Sequence, residues 1–163
     1  MQMEYRKADS EILERLWEKN IQNNAGDNRW IYWKREFIAN NQTGRACTFV
    51  ILCDGEPVGE CTLLFSPACN AIAGREQLAD FQTVANVHAL RIDKAYEGKG
   101  YVSELMHFVE KSAAEMGYTS LTIGVYAKET RNLSVYLHWG YTDFVLSEVE
   151  DGELTLYYRK ELR

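Results

Sequence analysis

The run Leu90-Arg-Ile-Asp-Lys-Ala-Tyr-Glu-Gly-Lys-Gly-Tyr-Val102 restricts the fold more than any other part of the chain. It joins an apolar strand-like segment, Phe81 to Ile92, to an amphipathic helix that begins near Tyr101. Val102, Leu105, Met106, Val109 and Ala113 fall on one stripe of that helix, and Gly117 stops it as a left-handed cap. Thr119 to Val125 then reads as a buried strand. Strand, helix and strand in this order, over residues 81 to 125, imply a right-handed parallel crossover.

Hairpins flank that unit. Asp54-Gly55 separates two segments rich in Val, Ile, Thr, Phe and Leu, Ala46 to Cys53 and Glu56 to Phe65, and is the strongest short-range hairpin signal in the chain. Tyr141 to Glu148 and Leu154 to Lys160 form a second hairpin around Glu150-Asp151-Gly152. Tyr5 to Ala8 reads as a short first strand. Asp9-Ser10 then caps a helix carrying Ile12, Leu13, Leu16 and Trp17. A second helix follows Asp27-Asn28, with Trp30, Trp33 and Phe37 along one side. Ser66 to Asp80 is an irregular connection with room for one helical turn, and Glu129 to Trp139 is a short helix ended by Gly140. The expected fold is α/β: a mixed, mostly antiparallel central sheet with helices on both faces. No repeat, low-complexity tract or linker divides the 163 residues, so one domain over 1–163 is expected.

Charge and composition exclude several function classes. A net charge of -6 with no lysine/arginine block argues against a nucleic-acid partner. No apolar run approaches the ~18 residues of a membrane span, and the N-terminus lacks the layout of a signal peptide, so a cytoplasmic protein with no membrane partner is expected. Cys47, Cys53, Cys61 and Cys69 form no CxxC pair, and His88, His107 and His138 are scattered, so no metal site is expected.

Gly98 and Gly100 stand where a helix N-terminus leaves backbone N–H groups unpaired, an arrangement that suits an anion such as phosphate. Lys99 adds a cation. Nucleotide fingerprints do not match: Asp93 stands where a P-loop needs its first glycine, and Ser103 where a dinucleotide fold needs its third. The glycine pair alone reads equally well as a tight turn that caps a helix.

Together with the strand before it and the helix after it, the run from Leu90 to Val102 resembles the acyl-CoA signature of the GNAT superfamily of N-acetyltransferases, [QR]xxGx[GA]. A later segment, Arg131-Asn-Leu-Ser-Val-Tyr-Leu-His-Trp-Gly-Tyr141, resembles the family helix in which a tyrosine lies four residues before a Gly-Phe or Gly-Tyr pair. The two motifs cover roughly residues 84 to 144. Glu97 departs from the usual Gln or Arg, and Val102 from the final Gly or Ala. Glu129 stands where asparagine is frequent, with Asn132 one turn further on.

The resemblance implies acetyl-CoA as co-substrate, with its diphosphate on Glu97, Gly98, Lys99, Gly100, Tyr101, Val102 and Ser103, and with Asn132 also in contact. Pantetheine would lie along Val87 to Ile92, with Leu90, Arg91 and Ile92 beside the thioester and a backbone N–H near Arg91 or Ile92 on its carbonyl oxygen. Tyr136 is the candidate general acid for the departing thiolate, because a tyrosine near its ordinary pKa holds its proton at neutral pH. His88 is the candidate base; His138 and Glu60 are further options. Trp30 and Trp33, with Tyr32, are candidates for the acceptor pocket, and Ser66 to Asp80 for its lid or wall, with Arg75 and Glu76 as recognition charges. The expected reaction is transfer of acetyl to a primary amine, a small molecule or a peptide. A non-catalytic acyl-CoA-binding module is the alternative. The C-terminal strands could pair with a second copy as a homodimer.

Overall fold

A computed structural model describes residues 1–163. In chain order the elements are β1 (Met3–Lys7), α1 (Ser10–Asn23), α2 (Arg29–Gln42), β2 (Ala46–Cys53), β3 (Glu56–Leu64), β4 (Val84–Ile92), α3 (Tyr101–Glu115), β5 (Ser120–Tyr126), α4 (Thr130–His138), β6 (Asp143–Glu150) and β7 (Glu153–Glu161). A single 3-10 turn, Lys94–Tyr96, stands between β4 and the glycine pair. The strands share one mixed sheet in the order β1-β2-β3-β4-β5-β7-β6. β4 and β5 form its parallel pair, from Val84 opposite Ser120 to Val87 opposite Ile123. β5 with β7, β6 with β7 and β1 with β2 are antiparallel. The expected element order and the mixed sheet are both present. No helix is long and apolar enough to cross a membrane.

The chain packs as two compact units, residues 1–63 with 89–109 and residues 64–88 with 110–163. In the first, the Asp9 carboxylate accepts the Ile12 N–H at 2.9 Å and starts α1, as its position before an apolar stripe predicts. Ile12, Leu13, Leu16 and Trp17 of α1 bury against Phe37 of α2 and against Val50 and Leu52 of β2. Side chains alternate across a strand, so Phe49 points the other way. Its ring meets Phe108 of α3, with centroids 5.8 Å apart. Helices therefore cover both faces of β2. Asp54 and Gly55 both take positive φ, 50° and 86°, as a two-residue hairpin turn requires.

In the second unit, Leu121, Ile123 and Val125 of β5 are buried. The fully buried Tyr141 donates its hydroxyl proton to Glu110 at 2.8 Å, and Lys160 reaches the same carboxylate at 3.0 Å. Two expected strand starts are corrected here, those of β4 and β1. β4 begins at Val84 and not at Phe81, because the Asp80 carboxylate gathers the N–H groups of Gln82, Thr83 and Val84 at 2.9, 2.7 and 2.9 Å. Phe81 takes a φ of 64° in that turn, far from the extended values of a regular strand. The Ser66 to Asp80 connection is irregular, as expected, with single helical turns closed by the Ala73 N–H on the Cys69 carbonyl and the Ala79 N–H on the Arg75 carbonyl, and Arg75 ties it down. The Arg75 guanidinium donates to the Ile72 and Ala71 carbonyls, pairs with Glu148 and Glu150 at 3.2 and 2.8 Å, and lies over the Tyr157 ring. A side chain so engaged is a structural clamp. β1 starts earlier than expected, at Met3, where it pairs with Cys53.

Candidate active site

Between the 3-10 turn and α3 the backbone turns twice into the left-handed region, at Gly98 (φ 74°) and Gly100 (φ 84°). A Cβ added at either position would meet nothing within 4 Å. Glycine is thus required for its conformation and leaves the approach to the backbone open. The Gly100 carbonyl accepts the Glu104 N–H at 3.1 Å and sets the first turn of α3. The N–H groups of residues 98–103 find no acceptor in the protein, so six successive donors are left unpaired at the positive end of a helix. Glu97 and Lys99 are exposed, whereas Tyr101, Val102 and Ser103 are half-buried. The Tyr5 hydroxyl donates to the Glu104 carboxylate and pins this turn; its own burial, then that hydrogen bond, push the Tyr5 pKa up.

The strand that precedes this loop is irregular. β4 pairs with β5 only as far as Val87, and Ala89 takes a φ of 53°, a bulge-like kink. His88 is half-buried at the end of the paired part. Leu90, Arg91 and Ile92 are half-buried beyond the kink, and the Asp93 N–H returns to the Val58 carbonyl at 2.8 Å.

Between α1, the start of α2, β3 and the end of β4 lies a cavity of 460 Å³, lined among others by Asn20 of α1, Trp30 of α2, Glu60 of β3, and Arg91, Asp93 and Lys94. Glu60 is its deepest polar group, with only 3% of its side chain exposed. Its Oε2 accepts from Asn20 Nδ2 at 2.9 Å and from Arg91 Nη1 at 3.1 Å. Its Oε1 is buried and meets no donor. Burial raises the Glu60 pKa, against the opposing pull of Arg91, Asn20 and the more distant Lys19. The Arg91 guanidinium stacks over Trp30, 4.6 Å from the ring centroid. Lys19 bonds both the Asp93 carboxylate and the Pro57 carbonyl, fixing α1 to the end of β4.

Of the two expected pocket tryptophans, Trp30 lines this cavity and Trp33 does not. Trp33 packs edge-on against Phe37, at 6.1 Å, and against Tyr32, so it belongs to the core between α1 and α2. On α4, Tyr136 is half-buried, 5.7 Å from the Trp139 ring, and its carbonyl accepts the Tyr141 N–H. Asn132 is exposed and donates to Glu129 at 3.2 Å. His138 is exposed at the end of the same helix. The cavity brings together Asn20, which the sequence does not single out, and Glu60, which it offers only as a further option for the base. The available signal was a carboxylate set within an otherwise uncharged strand interior, Val58-Gly-Glu-Cys-Thr-Leu-Leu64.

Comparison with known proteins agrees with this architecture. Residues 10–141 match the acetyltransferase (GNAT) family. An acetyltransferase of the GNAT family from Staphylococcus aureus Mu50 superimposes with a TM-score of 0.71 at 13% identity, over 99% of this chain and 100% of its own. The PaiA N-acetyltransferase of Thermoplasma acidophilum, in complex with coenzyme A, gives 0.65 at 17%, over 99% of each chain. RimL, a ribosomal L7/L12 alpha-N-protein acetyltransferase in complex with coenzyme A, gives 0.70 at 15%, over 99% of this chain and 95% of its own. At such identities the structural likeness establishes the fold alone. No curated protein matches the sequence significantly.

Proposed function

We propose, from the premise that this chain belongs to the GNAT family of acetyltransferases, that it moves an acetyl group from acetyl-CoA to a primary amine. The observation that carries the reading is the row of unpartnered N–H groups over residues 98–103, opened by two left-handed glycines at the start of α3. Such a row suits the diphosphate of coenzyme A. Glu97 does not stand against it, because its side chain is exposed and the donors are backbone groups. Asn132 on α4 is a further candidate contact for the cofactor.

The strand edge of β4 beyond Val87, unpaired with β5, offers main-chain groups to the amide-bearing pantetheine arm, in the manner of an added strand. Acetyl-CoA brings the thioester carbonyl and the thiolate that leaves. A backbone N–H near Arg91 or Ile92 would hold the developing oxyanion, a contact typically worth about 10²–10³ in rate. His88 takes the proton that the ammonium must lose before its nitrogen attacks, Tyr136 gives one to the thiolate sulfur as the C–S bond breaks, and the second proton shed by the acylated nitrogen restores the tyrosine hydroxyl. The products are the N-acetyl amine and free coenzyme A.

Release of free thiol from acetyl-CoA in the presence of an amine panel tests this reading. Amine-dependent release supports transfer. Binding of acetyl-CoA without release for any amine would instead favour the acyl-CoA-binding module.

A further inference from the structure

The cavity beside Glu60 is asymmetric in its charges. It holds three cations, Lys19, Arg91 and Lys94, and two carboxylates, Glu60 and Asp93. Lys19 is matched by Asp93, and Arg91 by Glu60. Two groups are left over. Oε1 of Glu60 is a buried acceptor without a donor, an unfavourable state unless something fills it. Lys94, exposed on the 3-10 turn, has no ion-pair partner in the protein. An unmatched acceptor in the depth and an unmatched cation on the rim are the complement of a molecule with an N–H donor at one end and an anion at the other.

We propose that this cavity takes a zwitterionic acceptor, a small amine that also bears a carboxylate, with its amine N–H on Glu60 Oε1 and its carboxylate toward Lys94. At 460 Å³ the space is that of a small-molecule site. Asn20 and Arg91 hold Oε2 from two sides, so the carboxylate cannot turn to satisfy Oε1 without breaking a bond. The flat face of Trp30, already covered by Arg91, closes one wall. Glu60 is here a specificity residue and leaves proton transfer to the groups named above. The identity of this ligand as an acceptor rests on the acetyltransferase reading; its chemistry rests on the cavity.

The test is binding in the absence of acetyl-CoA, by thermal shift and calorimetry. The probes are the common L-amino acids, each paired with the amine that lacks its carboxylate, such as lysine with cadaverine and tyrosine with tyramine. The wild-type protein is expected to bind at least one amino acid about tenfold or more tightly than its decarboxylated partner. Glu60→Gln, which keeps acceptors for Asn20 and Arg91 but turns a donor toward the ligand, should lose about tenfold or more in affinity while remaining folded. Lys94→Ala should abolish the preference for the carboxylate. Equal binding of the decarboxylated amines, unchanged binding by Glu60→Gln, or no binding by any pair would overturn the proposal. Acetyl-CoA binding is measured separately on the same samples. If it persists while the amino acids fail, this proposal alone falls; if it fails while they bind, the acetyltransferase reading falls.

Discussion

Arg91 Nη1 lies 3.1 Å from Glu60 Oε2, while Oε1 of the same buried carboxylate meets no donor. A buried carboxyl group is thus held beneath α1 and α2 with one of its two oxygens unused. That is a poor arrangement for stability and a good one for recognition, since a ligand can supply what the fold does not.

The stability consequence has a definite sign. Burial raises the folded Glu60 pKa above its unfolded value, so the folded state holds more protons, and stability falls as pH rises from about 4.5 through the folded pKa. Glu60→Gln removes this dependence. It should melt at a higher temperature than wild type at pH 8, with the gap closing as pH approaches 4. Melting curves across that range check it, and a constant gap would count against the assignment.

Removing the partner acts in the opposite direction. Arg91→Ala leaves Glu60 with Asn20 alone. Breaking a fully buried pair costs roughly 3–5 kcal/mol, but the Arg91 side chain is 38% exposed, so the expected loss is about 2 kcal/mol. Urea unfolding at pH 7 measures it, and a change below about 0.5 kcal/mol would show the pair to be inert.

Asp80 supplies an acid-sensitive contact at the start of β4. Burial works against its ionisation, but the Thr83 hydroxyl and the N–H groups of Val84, Thr83 and Gln82 outweigh it and bring its pKa to about 2. A depressed carboxylate stabilises the fold above its unfolded pKa and loses that contribution as pH falls toward 2. Asp80→Asn should therefore cost about 1–2 kcal/mol at pH 7 and much less at pH 2, read from denaturant midpoints at both.

Tyr136→Phe separates chemistry from binding. If Tyr136 protonates the leaving thiolate, kcat falls by about 10²-fold or more while the acetyl-CoA dissociation constant stays within about twofold. Wild-type turnover in this variant would remove Tyr136 as the acid.

Much of the fold was legible because local signals and the global arrangement agree. Asp54-Gly55 forced a hairpin turn, and of the stripe on α3 Leu105, Met106, Val109 and Ala113 are buried as their spacing predicts, with Val102 half-buried at the first turn. The start of β4 was misplaced because Phe81 belongs to an apolar-looking segment, whereas its conformation is decided by the side chain of Asp80. The left-handed turn at Gly98 and Gly100 could be read from sequence because neighbouring residues alone make it. The cavity could not. Glu60 meets Asn20 and Arg91 across separations of 40 and 31 residues, on three different elements, and no local pattern encodes such a meeting. Trp30 and Trp33 share one side of α2 by spacing, yet only Trp30 reaches the cavity; the neighbours of α2 make that difference.

The central claim is that residues 98–103 cradle the co-substrate, and a calorimetric titration with acetyl-CoA addresses it directly. Wild-type protein should bind at one site with micromolar affinity. Gly100→Asp, which places a side chain and a negative charge at a backbone φ of 84°, should bind about tenfold or more weakly while remaining folded. Folded wild-type protein that takes up no acetyl-CoA, or a Gly100→Asp variant that binds it equally well, would contradict the account.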